Sequence, residues 1–509
     1  MTVNPEFLQG KAAIEAKKIS EAVGWFQKAV ERDPGNAQAL AALGQALCWE
    51  GRQREGLDCL HRSGKLLLKN ARKTGNLNSV LMLIDQLHFW GDFQGALPLS
   101  QQAVRLQPGN LRTWQLLALT CLRLNLTTQA LEAARQALRK APDSPVLQLL
   151  FATTLTLNGD YEKAHTLLDT LLSKHLTPEQ RFRTHKELAR VLDKRHQYEA
   201  VFPHLYAAAD IARELPQIQK QDRSFVPKII ETYQKKLSPK LLNRFGDKPF
   251  TDSPPAPVFL IGFMRSGTTL TQQVLNSHPE IFVADEPDLI SLLRRQIDPD
   301  PHKVPDRLAK LEKDQICSLR HFYHERIQGR YGDIPEDMLL VDKTTMNIID
   351  LGIIHTVFPD SRIIFLIRDP RDVCLSCFLQ IMEPSPSTVH LYYWKETALY
   401  YRTVMEWWQT LKARISIPWI EVRYEEAVTQ FESCFRNVLD FLDLDWHSNM
   451  TNFHSQATGN YIASPSFNQV TQPLYHSSVG RWRHYQAETE KILPILSPSV
   501  ASLGYTENI

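Results

Sequence analysis

The feature that most constrains this chain is a 34-residue spacing between prolines in its first half. Pro108 and Pro142, in Leu-Gln-Pro-Gly-Asn and Lys-Ala-Pro-Asp-Ser, stand 34 residues apart, each closing a helical pattern, and Pro34 closes an earlier one in Arg-Asp-Pro-Gly-Asn. Small residues recur ahead of each proline where two helices would have to touch. Gly10, Ala22, Phe26 and Ala29 precede Pro34; Trp114, Ala118, Ala130 and Ala137 precede Pro142; Ala152 and Ala164 precede Pro178; Gly91 and Ala96 precede Pro108. A fixed period of this length predicts stacked helix–turn–helix units, each ended by a proline that cannot donate the next helical hydrogen bond.

This pattern resembles the tetratricopeptide repeat. Residues 37–70 and 181–214 read as degenerate copies, giving about six helical hairpins where a stable stack needs roughly three. Such a solenoid has a concave groove suited to a protein or peptide partner. The repeats could equally scaffold the chain or join it to a second copy as a homodimer, and both readings stay open on sequence alone.

At 509 residues the chain exceeds one compact core, so two to four domains are expected. A formal net charge of +2 argues against nucleic acid as the partner. Seven cysteines are few and odd in number, which points to a reducing compartment. Cys374-Leu-Ser-Cys377 lacks a second ligand pair and reads as buried thiols, and His321 and His324 share a helical face without a third ligand, so no metal site is expected. The N-terminus lacks the basic start and apolar stretch of a signal peptide, and no window supplies the roughly 18 apolar residues of a membrane span. These features together predict a cytoplasmic protein without a membrane span.

After Leu215 the helical pattern continues to Lys236, and prolines then cluster at Pro249, Pro254, Pro255 and Pro257. Beyond this boundary short apolar runs alternate with helices: Val258–Ile261, Met338–Val341, Arg362–Ile367 and Trp419–Val422. The expected architecture is multidomain. An all-α solenoid over 1–214 and a helical linker over 215–254 precede an α/β, P-loop-like domain over 255–509 with a mainly parallel sheet. The run Val258–Ile261 feeds Gly262-Phe-Met-Arg265-Ser266-Gly267-Thr268-Thr269 and then a helix. Glycine allows the tight turn, backbone N–H groups converge, and the helix start favours an anion. No lysine follows Gly267, which argues against a nucleotide triphosphatase loop. A second strand ends in Arg368, and Ser376 lies about two helical turns on, so both can face one anion.

These segments resemble the sulfotransferase family, whose donor is PAPS (3′-phosphoadenosine 5′-phosphosulfate) and whose product is PAP. The resemblance covers about residues 255–485. It implies that Arg265, Ser266, Gly267, Thr268 and Thr269 hold the 5′-phosphosulfate, while Arg368 and Ser376 grip the 3′-phosphate. Phe263-Met264 replaces the family's proline-containing turn. Within the family the closer likeness is to tyrosine-protein sulfotransferases. That likeness implies Glu286 as catalytic base, with Asp285 competing, and Lys343 as the group that stabilises the departing phosphate. It also implies Tyr424 near the adenosine, with Ser466 and Arg481 contacting the donor, Arg481 standing where that branch has lysine. The implied reaction is sulfuryl transfer to a protein tyrosine presented with help of the repeats, without a metal. A carbohydrate, lipid or small-molecule acceptor is the alternative, and so is a repeat scaffold whose second domain only senses nucleotide.

Overall fold

The structure is a computed structural model that describes residues 4–245, 250, 253–454 and 477–506. The chain divides into two compact units, one formed mainly by residues up to Asp160 together with Glu325–Ile334, the other mainly by residues from Tyr161 onward.

The first unit is helical throughout its repeats. Helix pairs Pro5–Glu15 and Ile19–Arg32, Ala37–Glu50 and Gln53–Thr74, Asn78–Phe89 and Phe93–Leu106, and Leu111–Arg123 and Thr127–Lys140 are followed by helix Pro145–Leu157. The small residues named above sit where helices meet: Ala22, Ala29, Ala96, Ala118, Ala130 and Ala137 are fully buried, and the Phe26 ring occupies the space a side chain at Gly10 would need. Pro-Gly-Asn has two tasks. It ends one helix, and its asparagine caps the next, Asn36 accepting from the Gln38 and Ala39 N–H groups and Asn110 from that of Arg112. Between the two helices of each repeat lies one residue with left-handed backbone: Lys17, Gly51, Gly91, Asn125, Gly159. This second rhythm, 34 residues at each step except the 40 from Gly51 to Gly91, escapes a reading based on glycine because lysine and asparagine take the position in two repeats.

The second unit opens with helix Tyr161–Leu172 and the hairpin Pro178–Lys194 and Tyr198–Ala212. This hairpin shares a core with the α/β part of its own unit: the Phe202 ring packs 5.9 Å from Phe378, 5.3 Å from Trp394 and 5.5 Å from Tyr485. Helix Phe225–Lys236 also joins that unit through buried Ile229, Ile230 and Tyr233.

Five parallel strands form the sheet: β1 Val258–Gly262, β2 Ile281–Asp285, β3 Leu339–Lys343, β4 Arg362–Ile367 and β5 Trp419–Arg423, in the order β2-β3-β1-β4-β5. Helical repeats followed by a parallel α/β sheet are the expected class, and four strands fall where the apolar runs predict them. β2 is an addition, a five-residue strand close behind helix Thr268–Asn276 and His278-Pro279. Strand β1 is central, with β2 and β3 on one side and β4 and β5 on the other. A crevice therefore opens at the carboxyl ends of the strands beside β1, the usual ligand position in such sheets. At that end Gly262 lies against Leu366 so closely that a methyl group would stand 2.8 Å from the Leu366 carbonyl oxygen.

Among the described residues no helix is long and apolar enough to cross a membrane. Cys374 and Cys377 are buried, free thiols.

Phe365 of β4 stacks on Trp408 with ring centroids 3.9 Å apart, and both are fully buried. Replacing Trp408 with alanine is expected to cost about 3–5 kcal/mol by cavity formation. Met82→Ala, at a side chain 65% exposed, should stay within about 0.5 kcal/mol in the same denaturant titration.

Candidate active site

Every strand of the sheet delivers a candidate residue at its carboxyl end. β1 leads into the loop, β2 into Glu286, β3 ends in Lys343, β4 leads into Arg368 and β5 into Tyr424. The register sets Asp285 beside Lys343 and Gly262 beside Leu366, so the side chains converge on one edge.

One pole of the site is a pair of guanidinium groups. Arg265, in left-handed backbone at φ 69°, donates from Nε to Ser376 Oγ at 3.0 Å. Arg368 donates from Nη1 to the Arg265 carbonyl at 3.0 Å and from Nη2 to the Ser478 carbonyl at 2.5 Å, and its plane lies 4.5 Å from the Tyr424 ring. Among the described residues its buried Nε has no hydrogen-bond partner. Two cations this close, one with an unanswered donor, fit an anion between them. Ser266, Thr268 and Thr269 are buried at the start of helix Thr268–Asn276, which follows Gly267 at φ 104° and carries no side-chain cap. The N–H groups of a helix's first turn favour an anion there.

The second pole is Lys343. Its side chain is 0% exposed, and Nζ donates to Glu286 Oε1 at 2.8 Å and Asp285 Oδ1 at 3.2 Å. Burial opposes the lysine charge, but Glu286 and Asp285 outweigh it and hold the ammonium above its ordinary pKa. Glu286 is 35% exposed at its side chain and sits at φ 46°, its N–H donating to the Lys343 carbonyl at 2.8 Å. Left-handed backbone at a non-glycine residue costs about 1–2 kcal/mol, and it turns the carboxylate back over the end of β3. Thr345 donates to Glu286 Oε1 at 3.1 Å and lies 3.2 Å from the Thr268 hydroxyl, which joins the two poles.

A supporting layer escaped the motif reading. Asp342 is buried behind Lys343 and accepts from Tyr323 at 2.8 Å and Thr344 at 2.9 Å; burial pushes its carboxyl up to about 7. Asp372 accepts from the Gly480 and Trp482 N–H groups at 2.7 and 2.8 Å, and burial raises its carboxyl to about 6. Asp369 pairs with Arg371, whose guanidinium lies 3.9 Å from the Trp482 ring. The charge-rich run Arg368-Asp-Pro-Arg-Asp372 was the available signal for this layer. Arg481 is brought beside Asp372's backbone partners, whereas Ser466 lies outside the described residues.

Residues 257–448 match the profile of the family described as "Sulfotransferase family", and residues 91–145 and 125–182 match tetratricopeptide repeats. The chain carries a sulfotransferase-family domain. A protein-tyrosine sulfotransferase 1 of Danio rerio is 22% identical over 49% of this chain and 72% of that protein. An uncharacterized protein of Aquifex aeolicus (strain VF5) is 24% identical over 97% of this chain and 69% of that one. Among solved structures, the sulfotransferase domain from the curacin biosynthetic pathway aligns with 48% of this chain and 98% of its own length, at 18% identity and a TM-score of 0.33. The family match over residues 257–448 supports sulfuryl transfer as the chemistry of this domain.

Two outcomes test this candidate site. A methyl at Gly267 would meet the Tyr424 ring at 2.6 Å in a backbone that favours glycine. Gly267→Ala should therefore lower stability by about 1–3 kcal/mol and weaken anion binding, read by melting with and without inorganic sulfate. The Asp342 pKa of about 7 stands above that of an unfolded aspartate. The folded chain thus holds an extra proton between about pH 4 and 7, and its stability falls as pH rises through that window. Asp342→Asn removes this loss, so stability relative to wild type should shift in the variant's favour from about pH 5 to about pH 8 in paired melts.

Proposed function

We propose that this protein transfers the sulfuryl group of PAPS to an acceptor hydroxyl, the tyrosine of a polypeptide, with Glu286 as base. The observation that carries the proposal is the hydrogen-bonded junction of Lys343, Glu286 and Thr345, linked through Thr268 to the anion loop. The fit to the donor rests on the buried Arg368 Nε, which has no partner among the described residues, and on the Arg265 and Ser376 pairing beside it.

On this reading Arg265, Ser266, Gly267, Thr268 and Thr269 hold the 5′ end of the donor, and Arg368 with Ser376 holds the 3′-phosphate. Tyr424, stacked on Arg368 and packed on Gly267, walls the adenosine side. The donor supplies a sulfuryl group whose bond to the phosphate oxygen breaks as the acceptor oxygen bonds to sulfur. Glu286 accepts the acceptor's proton at a carboxylate that is partly open to solvent. Lys343 holds its charge in a dry setting, where it counters negative charge developing on the phosphate side. The likeness to protein-tyrosine sulfotransferases supports a tyrosine acceptor, and the helical repeats offer a surface of the kind that receives polypeptide.

The test is incubation with labelled PAPS, an acidic tyrosine peptide and its phenylalanine counterpart. Label should enter the tyrosine peptide alone. Equal labelling of both would refute the tyrosine acceptor, and label in neither, with PAP still bound, would favour a carbohydrate, lipid or small-molecule hydroxyl. Glu286→Gln should keep PAP binding and lose about 10²–10⁴-fold in transfer; full turnover would remove Glu286 from the mechanism.

A further inference from the structure

Helix Pro178–Lys194 belongs to the repeat-like region by sequence, yet it directs two ionisable side chains into the α/β part of its own unit. Lys186 and Asp193 are seven residues apart, two helical turns, so they share one face. Both are buried. Lys186 Nζ donates to the carbonyl of Phe378, two residues beyond Ser376, and lies 5.2 Å from the Phe378 ring. Asp193 binds the other segment of the site: Oδ1 accepts from Arg481 Nε at 3.2 Å and from the Tyr485 hydroxyl at 2.6 Å, and Oδ2 lies 2.5 Å from Arg481 Nη2.

Arg481 is thereby held at both ends. Its main chain lies between the Gly480 and Trp482 N–H groups that donate to Asp372, and Arg368 donates to the Ser478 carbonyl just before them. Its side chain is fixed by the two-point pairing with Asp193, which leaves Nη1 outside that pairing. A free arginine loses rotamer freedom when it binds a phosphate, whereas a pre-fixed planar fork does not.

We infer that Asp193 is a positioning residue for the donor: it fixes the Arg481 guanidinium on the segment that Arg368 and Asp372 hold, so that Arg481 adds to recognition of the 3′-phosphate. This rests on the PAPS reading above. The helix that carries Asp193 is therefore part of the donor site, and Asp193 acts through Arg481 without touching the reacting atoms.

Calorimetry on the full chain tests this with two probes, PAP and AMP, which differ in the 3′-phosphate. Asp193→Asn should weaken PAP about tenfold and leave AMP unchanged, and Asp193→Glu should recover part of the PAP affinity. In an Arg481→Ala background the Asp193→Asn change should have no further effect on PAP, because the two residues act as one unit. Equal losses for PAP and AMP would mark a merely structural role and overturn the inference. So would unchanged or tighter PAP binding, or a loss that persists without Arg481. The AMP arm shows whether each variant retains a folded site. Wild-type protein that binds neither nucleotide would remove the donor reading and this inference together, whereas wild-type binding of PAP with an indifferent Asp193→Asn would remove this inference alone.

Discussion

The site depends on one buried ammonium. Lys343 Nζ sits fully out of water between Asp285 and Glu286, and removing such a charge from solvent costs several kcal/mol unless partners answer it. That requirement explains the neighbouring geometry. β2 must run beside β3 in the register that sets Asp285 against Lys343. Glu286 must leave β2 in left-handed backbone to bring its carboxylate over the strand end. Thr345 then adds a second hydrogen bond to the carboxylate oxygen that Lys343 holds. A charge held this way is preorganised, and the same low-dielectric setting that makes it costly makes it effective against charge formed during transfer.

The anion pole follows a parallel logic across the β1–β4 boundary. Arg265 and Arg368 are cations at adjacent strand ends, linked through the Arg265 carbonyl. Their own hydrogen bonds and the pairing of Arg368 with Asp372 at 3.9 Å set their orientation, and Asp372 also carries the backbone of Gly480 and Trp482. The C-terminal segment, the helix after β4 and the hairpin Pro178–Ala212 thus meet at one layer within the same compact unit. Sequence periodicity assigns that hairpin to the repeats, while its aromatic packing through Phe202 and its ionic contact through Asp193 tie it to the sheet domain.

Much of this was legible before the structure because it lies in local patterns. The proline spacing marked the helical repeats, and continuous apolar runs marked four strands, since strands buried on both faces need no alternation. Arg265 and Arg368 were marked by their position after such runs, whereas Lys343 and Tyr424 were marked by the likeness to tyrosine-protein sulfotransferases. What escaped has physical reasons. β2 is five residues long and follows a helix too closely for turn signals to frame it. Of the left-handed turn residues, Asn125 is a type that tolerates that backbone, whereas Lys17 takes it against residue preference. Asp193 acts through contacts 288 and 292 residues away in sequence, and Asp342 through Tyr323 as well as nearby Thr344, for which no short motif exists.

The most direct test of the account is a crystal structure of the protein with PAP bound. The account predicts the 3′-phosphate against Arg368 and Ser376 and the 5′-phosphate at the Arg265–Thr269 loop, with Lys343 Nζ reaching toward the latter. PAP bound away from the carboxyl ends of β1 and β4, or bound there with no phosphate touching Arg368, would contradict it.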